Sequence, residues 1–269
     1  MSMQMEIVCV GNELLIGKTL NTNAQWLSKR ATSLGVTVKR ITVVGDDVEE
    51  IASAIREAVQ RKPRFIITTG GLGPTFDDKT LEGIARALNR KLILNDKALK
   101  MVKEKYEAYA EAGKIDEFEM TPHRVKMATL PEGAEPIPNP IGTAPGVLLK
   151  VDGVYLVALP GVPSEMEAIF EESLAALLRK EAGDTMFFEA SIYADSIMES
   201  TLAPLIDTVM RSNPYVYIKS HPKAEEKKPH IEIHLSTTAK DSETAKNRLG
   251  KAIIQLSELI KEKGGKVKV

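Results

Sequence analysis

Along the first half of the chain, short β-rich apolar runs alternate with longer stretches whose apolar residues recur at helical spacing. "EIVCVG" (residues 6–11), "VTVKRITVVG" (36–45) and "RFIITTG" (64–70) predict strands. "NTNAQWLSKRATSLG" (21–35) predicts a helix with Gly35 as its C-cap, and "DDVEEIASAIREAVQRK" (46–62) one with acids in its first turn and Pro63 as its stop. Residues 80–89 predict a third helix and "DKALKMVKEKYEAYAEAG" (96–113) a charged, solvated one. Strand and helix in alternation imply crossovers, hence a largely parallel sheet covered on both faces. "HRVKMATLPEGAEPIPNPIGTAPGVLLK" (123–150) is rich in Pro and Gly and predicts a long functional loop. "GVYLVALPGVPSEMEAIFEESLAALLRK" (153–180) offers a strand, a turn and a helix capped by Ser164 in a capping box with Glu167.

The texture changes near residues 180–185. Beyond them come a strand (186–194), a helix (199–211), strands around "YVYIKSHP" and "HIEIHLSTT", and a final helix (242–263), with "PKAEEKKP" as a charged hairpin loop. This order predicts a separate small α+β domain at 185–269, following an α/β domain at 1–180.

Composition mainly excludes. The 269 residues carry a net charge of −1, so no basic field gathers nucleic acid or an anionic membrane. No apolar run reaches the roughly 18 residues of a membrane span. With no signal sequence and only Cys9, the expectation is a cytoplasmic protein without disulfides. Cys9 reads as inert core and Trp26 as core or cleft wall. His230 and His234 share one strand face without a zinc pattern and read as packed or solvated.

The candidate chemistry sits at the strand-to-helix junctions "GNELLIGKTLNTN", "VGDD", "TGGLGPTFDD" and "LPGVPSEM". In an open parallel sheet these lie at the carboxyl edge, where ligands bind. Gly70, Gly71 and Gly73 let a ligand approach the backbone, and the following helix adds its positive end, which together suit an anion. Asp77 and Asp78 would repel that anion unless they hold a divalent cation such as Mg²⁺; the alternative is that they cap the next helix. Asp46 should emerge at the same edge. "GNELLIGKT" has five residues between its glycines and so is no P-loop, and "GGLGPT" lacks the dinucleotide-binding spacing.

Together, "GNELLIGKTLNTNAQWL", "TTGGLGPTFDD", "IPNPIGTAPG" and "LPGVPSEM" resemble the N-terminal domain of the CinA family, within the molybdopterin-binding superfamily of MogA, MoaB and the MoeA core. The resemblance covers about residues 1–180 closely, and the remainder is similar to the small KH-like domain of CinA proteins. It implies a three-layer α/β domain with a mostly parallel sheet, and a homodimer. It does not carry over the nicotinamide-nucleotide deamidase activity of a further CinA domain. Two chemistries are implied: metal-dependent hydrolysis of ADP-ribose, or a related dinucleotide such as FAD, to AMP and a phosphate monoester; or binding and adenylylation of molybdopterin.

For the hydrolase, the backbone N–H groups of Gly70–Thr75, a stretch that includes Gly71, Gly73 and Pro74, would hold a phosphate. Asp77, Asp78 and Asp46 would place Mg²⁺ or Co²⁺, and Glu13 would orient water. Asn21 and Asn23 would bind ribose or phosphate oxygens, Asn21 alternatively capping its helix. Lys18 would supply charge, and Gly142, Thr143 and Ala144 with Ser164 and Glu165 would line the opposite wall. A KH-like RNA clamp needs a G-x-x-G loop, which "NPYVYIKSHP" lacks, so nucleic acid is not an expected partner.

Overall fold

The structure, a computed structural model, describes residues 3–222 and 230–268. The chain divides into two compact units, one of Met1–Thr32 with Val36–Ala182 and one of Ser33–Gly35 with Gly183–Val269.

The first unit runs β1 (Met3–Val10), α1 (Asn12–Leu15), α2 (Thr22–Ser33), β2 (Val36–Val44), α3 (Val48–Gln60), β3 (Phe65–Thr69), α4 (Thr80–Ala87), β4 (Leu92–Leu94), α5 (Asp96–Glu111), α6 (Pro122–Lys126), β5 (Thr129–Pro131), β6 (Glu135–Ile137), β7 (Gly146–Val151), β8 (Val154–Leu159), α7 (Pro163–Ile169), a π-helical stretch (Phe170–Leu174) and α8 (Ala175–Ala182). The main sheet has the order β2-β1-β3-β8-β7-β6, in which β2, β1, β3 and β8 are parallel, β7 is antiparallel to β8, and β6 is antiparallel to β7. Val8, Ile66 and Leu156 join Ile51 and Ile55 of α3, Ile84 of α4 and Val102 of α5 in one core cluster. Residues of the opposite parity, Ile7, Cys9, Ile67 and Val157, are fully buried too, as a sheet covered on both faces requires. Burial pushes the Cys9 thiol pKa up, which keeps it protonated and unreactive.

The register places the site. Cys9 pairs with Thr69, Val10 with Val44, and Thr69 with Leu159, so the four parallel strands end together. Every strand-to-helix junction singled out above therefore leaves from one edge.

Several sequence expectations need correcting. Residues 123–150 are not one loop, because they hold α6, β5, β6 and β7. The helical turn forms where Thr121 caps α6 by accepting from the Arg124 amide, with Pro122 in the first turn. Ser164 does not cap its helix: Val162 holds that position and Pro163 occupies the first turn, which moves Ser164 inside. The same stretch is interrupted by the π turn at Phe170–Leu174. Glycine loop "GNELL" holds the short α1.

The second unit is β9 (Met186–Asp195), α9 (Glu199–Ser212), β10 (Val216–Pro222), β11 (His230–Ala239), α10 (Ser242–Glu262) and β12 (Lys266–Lys268). Its antiparallel sheet has the order β10-β11-β9-β12, and Leu202, Ile206, Leu249 and Leu256 of the helices pack on Ile192, Ile218, Ile231 and Ile233. Strand β12 escapes sequence reading because three residues, "KVK", carry no periodicity. The expected hairpin loop after Pro222 lies outside the described residues. His230 binds Asp195 at 2.5 Å and stacks on Tyr193, and His234 meets Glu189 at 3.1 Å. No described helix is long and apolar enough to cross a membrane.

Candidate functional site at the carboxyl edge of the sheet

Strand β3 is buried along its whole length and then turns abruptly. Gly70 (φ 104°) and Gly71 (φ 66°) make that turn in the left-handed region, which a side chain disfavours. A β-carbon at Gly70 would also collide with the Val10 carbonyl oxygen. The turn is fixed from below: the Gly70 amide donates to Leu159 O (3.0 Å), and the buried Thr80 hydroxyl donates to Gly70 O (2.7 Å). The amides of Gly71, Leu72 and Gly73 have no acceptor among the described residues. The anion seat expected over residues 70–75 thus narrows to three N–H groups. The Gly70 and Thr75 amides are engaged, and Pro74 has no N–H.

The acidic end of the loop is tied back on itself. The Asp78 carboxylate accepts from the Thr75 amide (2.8 Å) and hydroxyl (2.6 Å), and the same hydroxyl contacts Asp77. The Thr75 hydroxyl, followed by Asp77's own amide, holds the Asp77 pKa below the usual carboxylate range, with Lys126 and Lys79 helping. From α6, His123 meets Pro74 O (3.1 Å) and the Lys126 ammonium donates to Thr75 O.

One cavity of ≈ 380 Å³ joins the loops. It is lined by Val10, Gly11 and Glu13 from the first, Asp46 from the second, and Gly70, Gly71, Gly73, Pro74, Thr75, Asp77 and Asp78 from the third. Gly161 and Glu165 come from the fourth, with Thr143 and Ala144 from the 137–146 segment. Glu13 is exposed and its carboxylate lies over Gly11, without a hydrogen-bond partner among the described residues. Asp46 is exchanged against Asn12: the Asn12 amide donates to Asp46 Oδ2 (2.9 Å) and the Asp46 amide to Asn12 Oδ1 (3.3 Å). Glu165 accepts from the side-chain amide of Asn139 (2.7 Å).

Asn139 is a residue that sequence reasoning missed. It is buried, and it also donates to Ala144 O (2.8 Å) and accepts from the Ile141 (3.1 Å) and Gly142 (2.8 Å) amides. An Asn-Pro pair ahead of Gly-Thr was the available signal. Asn139→Ala removes all of these bonds at a buried site. The expected loss is about 2 kcal/mol in urea denaturation, with weakened ligand affinity because Thr143 and Glu165 lose their support.

The other expected residues fall elsewhere. Asn21 caps α2 by accepting from the Ala24 amide (3.1 Å). Asn23 rivets three loops, donating to Thr69 Oγ1 (2.9 Å) and Gly161 O (2.8 Å), while Thr69 donates to Pro160 O (3.0 Å). Both asparagines line a smaller cavity of ≈ 100 Å³ that shares Glu13 and Gly70 with the main one. Lys18 and Ser164 are exposed and do not line the main cavity. Gly142 stands behind the wall, its missing β-carbon leaving room for the Glu165 carboxylate. Trp26 packs edge-on against Phe170 (5.3 Å).

The lining of the cavity is acidic, with Lys126 and Lys79 acting on Asp77 from beside it. Glu13, Asp46, Asp77, Asp78 and Glu165 line it, and no Lys, Arg or His does. Among the described residues no three acidic, His or Cys side chains converge closely enough to hold a metal alone. Such a cavity suits a cation that is shared between one or two carboxylates and the phosphate oxygens of a ligand, the usual way Mg²⁺ is bound.

Asp77, Glu171 (paired with Arg30) and Glu181 (paired with Arg64) all have lowered pKa values in the folded chain. A lowered carboxyl pKa contributes stability above its unfolded value that is lost as pH falls through the folded one. The urea midpoint is therefore expected to hold steady from neutral pH to about 5 and to fall below about 4.

A largely parallel sheet whose strand-to-helix loops gather round one cavity at its carboxyl edge is the arrangement in which open α/β proteins bind small molecules. Residues 6–180 match the family described as "Probable molybdopterin binding domain", and the chain belongs to that family. It is 45% identical over 263 residues to a protein of Sulfurisphaera tokodaii, covering 97% of each chain. It is 47% identical to a protein of Pyrobaculum calidifontis, covering 96% of this chain and 95% of that one. Among solved structures it is similar to the CinA protein of Thermoplasma acidophilum, a protein with unknown function. Identity there is 42% and the TM-score 0.57, over 62% of this chain and 94% of that one. The motif resemblance to CinA thus extends to the three-dimensional structure.

Proposed function

We propose that the carboxyl-edge cavity binds a small molecule carrying a phosphate or pyrophosphate together with a divalent cation, and that the ligand is a molybdopterin-type pterin phosphate. The observation that carries this is the pairing of three unspent amides, at Gly71, Leu72 and Gly73, with five carboxylates and no basic side chain. The family match to a molybdopterin binding domain supports the pterin.

Mg²⁺ or Co²⁺ would sit against Asp77 or Asp78, with Asp46 across the cavity, and when bound supplies positive charge to the phosphate oxygens. The amides of residues 71–73 grip one phosphate and orient it. The Asn12 amide keeps Asp46 turned toward the edge. Glu13, free of protein partners, takes a proton from a hydroxyl or water placed beside the phosphate, which suits adenylyl transfer to a pterin phosphate and hydrolysis equally.

A second reading, hydrolysis of ADP-ribose to AMP and ribose 5-phosphate, follows from the motif resemblance to CinA, and the partnerless Glu13 serves it as well as the first. One assay separates the two: purified protein with Mg²⁺ is given either molybdopterin and ATP or ADP-ribose. Adenylylated pterin with pyrophosphate release supports the first reading. AMP from ADP-ribose alone replaces it with the second.

A further inference from the structure

A second cavity, of ≈ 310 Å³, lies against the same glycine loop. Gly71, Leu72, Gly73 and Asp78 line both cavities, so this short stretch is the partition between them. Its apolar wall is built by Leu81 of α4, Leu92 of β4, and Pro122 and Val125 of α6. Leu92, which lines it, is 38% exposed. The size is at the lower end for small-molecule pockets, about 300–1,000 Å³.

Three charged side chains and a hydroxyl complete the slot: Glu82, Lys126, Asp78, whose carboxylate is engaged by Thr75, and Thr129, whose hydroxyl donates to Val125 O. The Glu82 carboxylate has no hydrogen-bond or ion-pair partner among the described residues. Lys126 spends one N–H on Thr75 O, which leaves others for a ligand. An apolar slot with a free carboxylate and a cation is suited to a flat polar heterocycle.

We infer that this slot takes the ring of the ligand whose phosphate occupies the glycine seat, and that Glu82 selects a 2-amino-4-oxopyrimidine edge, as found in pterins and guanine. The inference rests on the reading of the first cavity as a phosphate site. That edge presents an amino N–H and a ring N–H side by side, which match the two oxygens of one carboxylate. Its oxo group is an acceptor for Lys126. Adenine puts a ring-nitrogen lone pair beside its amino group, and that lone pair faces a carboxylate oxygen unfavourably. A site built to receive two donors rejects a ring that offers one. Pterin phosphates therefore rank above adenine nucleotides for this chain.

The test is a set of calorimetric titrations with Mg²⁺ on the wild type and on Glu82→Gln, an exposed change on α4 that leaves the core untouched. The ligands are pyrophosphate, GDP, ADP and neopterin phosphate. In the wild type, GDP is expected to bind at least about fivefold tighter than ADP, and neopterin phosphate tells whether the slot prefers a pterin over guanine. Glu82→Gln is expected to erase the GDP preference and leave pyrophosphate affinity unchanged. Equal binding of GDP and ADP, or a preference that survives Glu82→Gln, overturns the inference while pyrophosphate binding keeps the phosphate seat intact. Failure of pyrophosphate to bind defeats the seat itself, and the inference with it.

Discussion

Replacing Asp77 and Asp78 together by asparagine is expected to lower Mg²⁺-dependent pyrophosphate affinity by at least about 100-fold, because a cation near a carboxylate at an effective dielectric of 20 gains about 4 kcal/mol per unit-charge pair. The fold should survive. Asp77 is exposed and Asp78 half-buried, and an asparagine oxygen still accepts from the Thr75 amide that Asp78 now engages at 2.8 Å. A melting temperature within a few degrees of the wild type would separate lost charge from lost structure. Undiminished affinity in the double variant would mean that the two aspartates only brace the turn around Thr75.

The second large effect is at Gly70. Gly70→Ala places a β-carbon on a residue at φ 104° and against the Val10 carbonyl, which belongs to the neighbouring strand β1. Neither strand can retreat, because Val8, Val10 and Ile66 are locked in the core. The expected loss is about 3 kcal/mol or more in urea denaturation, with the anion seat displaced. Gly113→Ala is the control. That glycine also has positive φ, 66°, but nothing lies within 4 Å of the added carbon, so only the conformational cost of about 1 kcal/mol should appear. Equal losses at the two positions would show that the collision with Val10 is relieved by small shifts.

The contrast between these residues also shows what the sequence makes legible. Glycines after an apolar run, followed by a helix that begins with an alcohol or acid, announce the carboxyl edge, and the alternation of textures announces the parallel sheet. Asp47 illustrates local legibility, since it caps α3 through the Glu49 and Glu50 amides, only two and three residues on. Ser164 shows its failure, because the box pattern is present but Pro163 takes the first turn. Through-space partners leave no local trace. Asn12 and Asp46 stand 34 residues apart, and Asn139 and Glu165 stand 26 apart. Lys126 reaches Thr75 from 51 residues away, out of a segment that reads as Pro- and Gly-rich connection. The same reading credited every amide from Gly70 to Thr75 to the ligand, since spacing does not reveal that the Gly70 and Thr75 amides are already engaged.

The most direct measurement is a calorimetric titration of inorganic pyrophosphate into the wild-type protein, once with Mg²⁺ and once with a chelator. A cavity that offers amides and carboxylates but no basic side chain should take up the anion only in company with the divalent ion, so heat of binding is expected in the first titration and none in the second. Equal binding in the two would contradict the account.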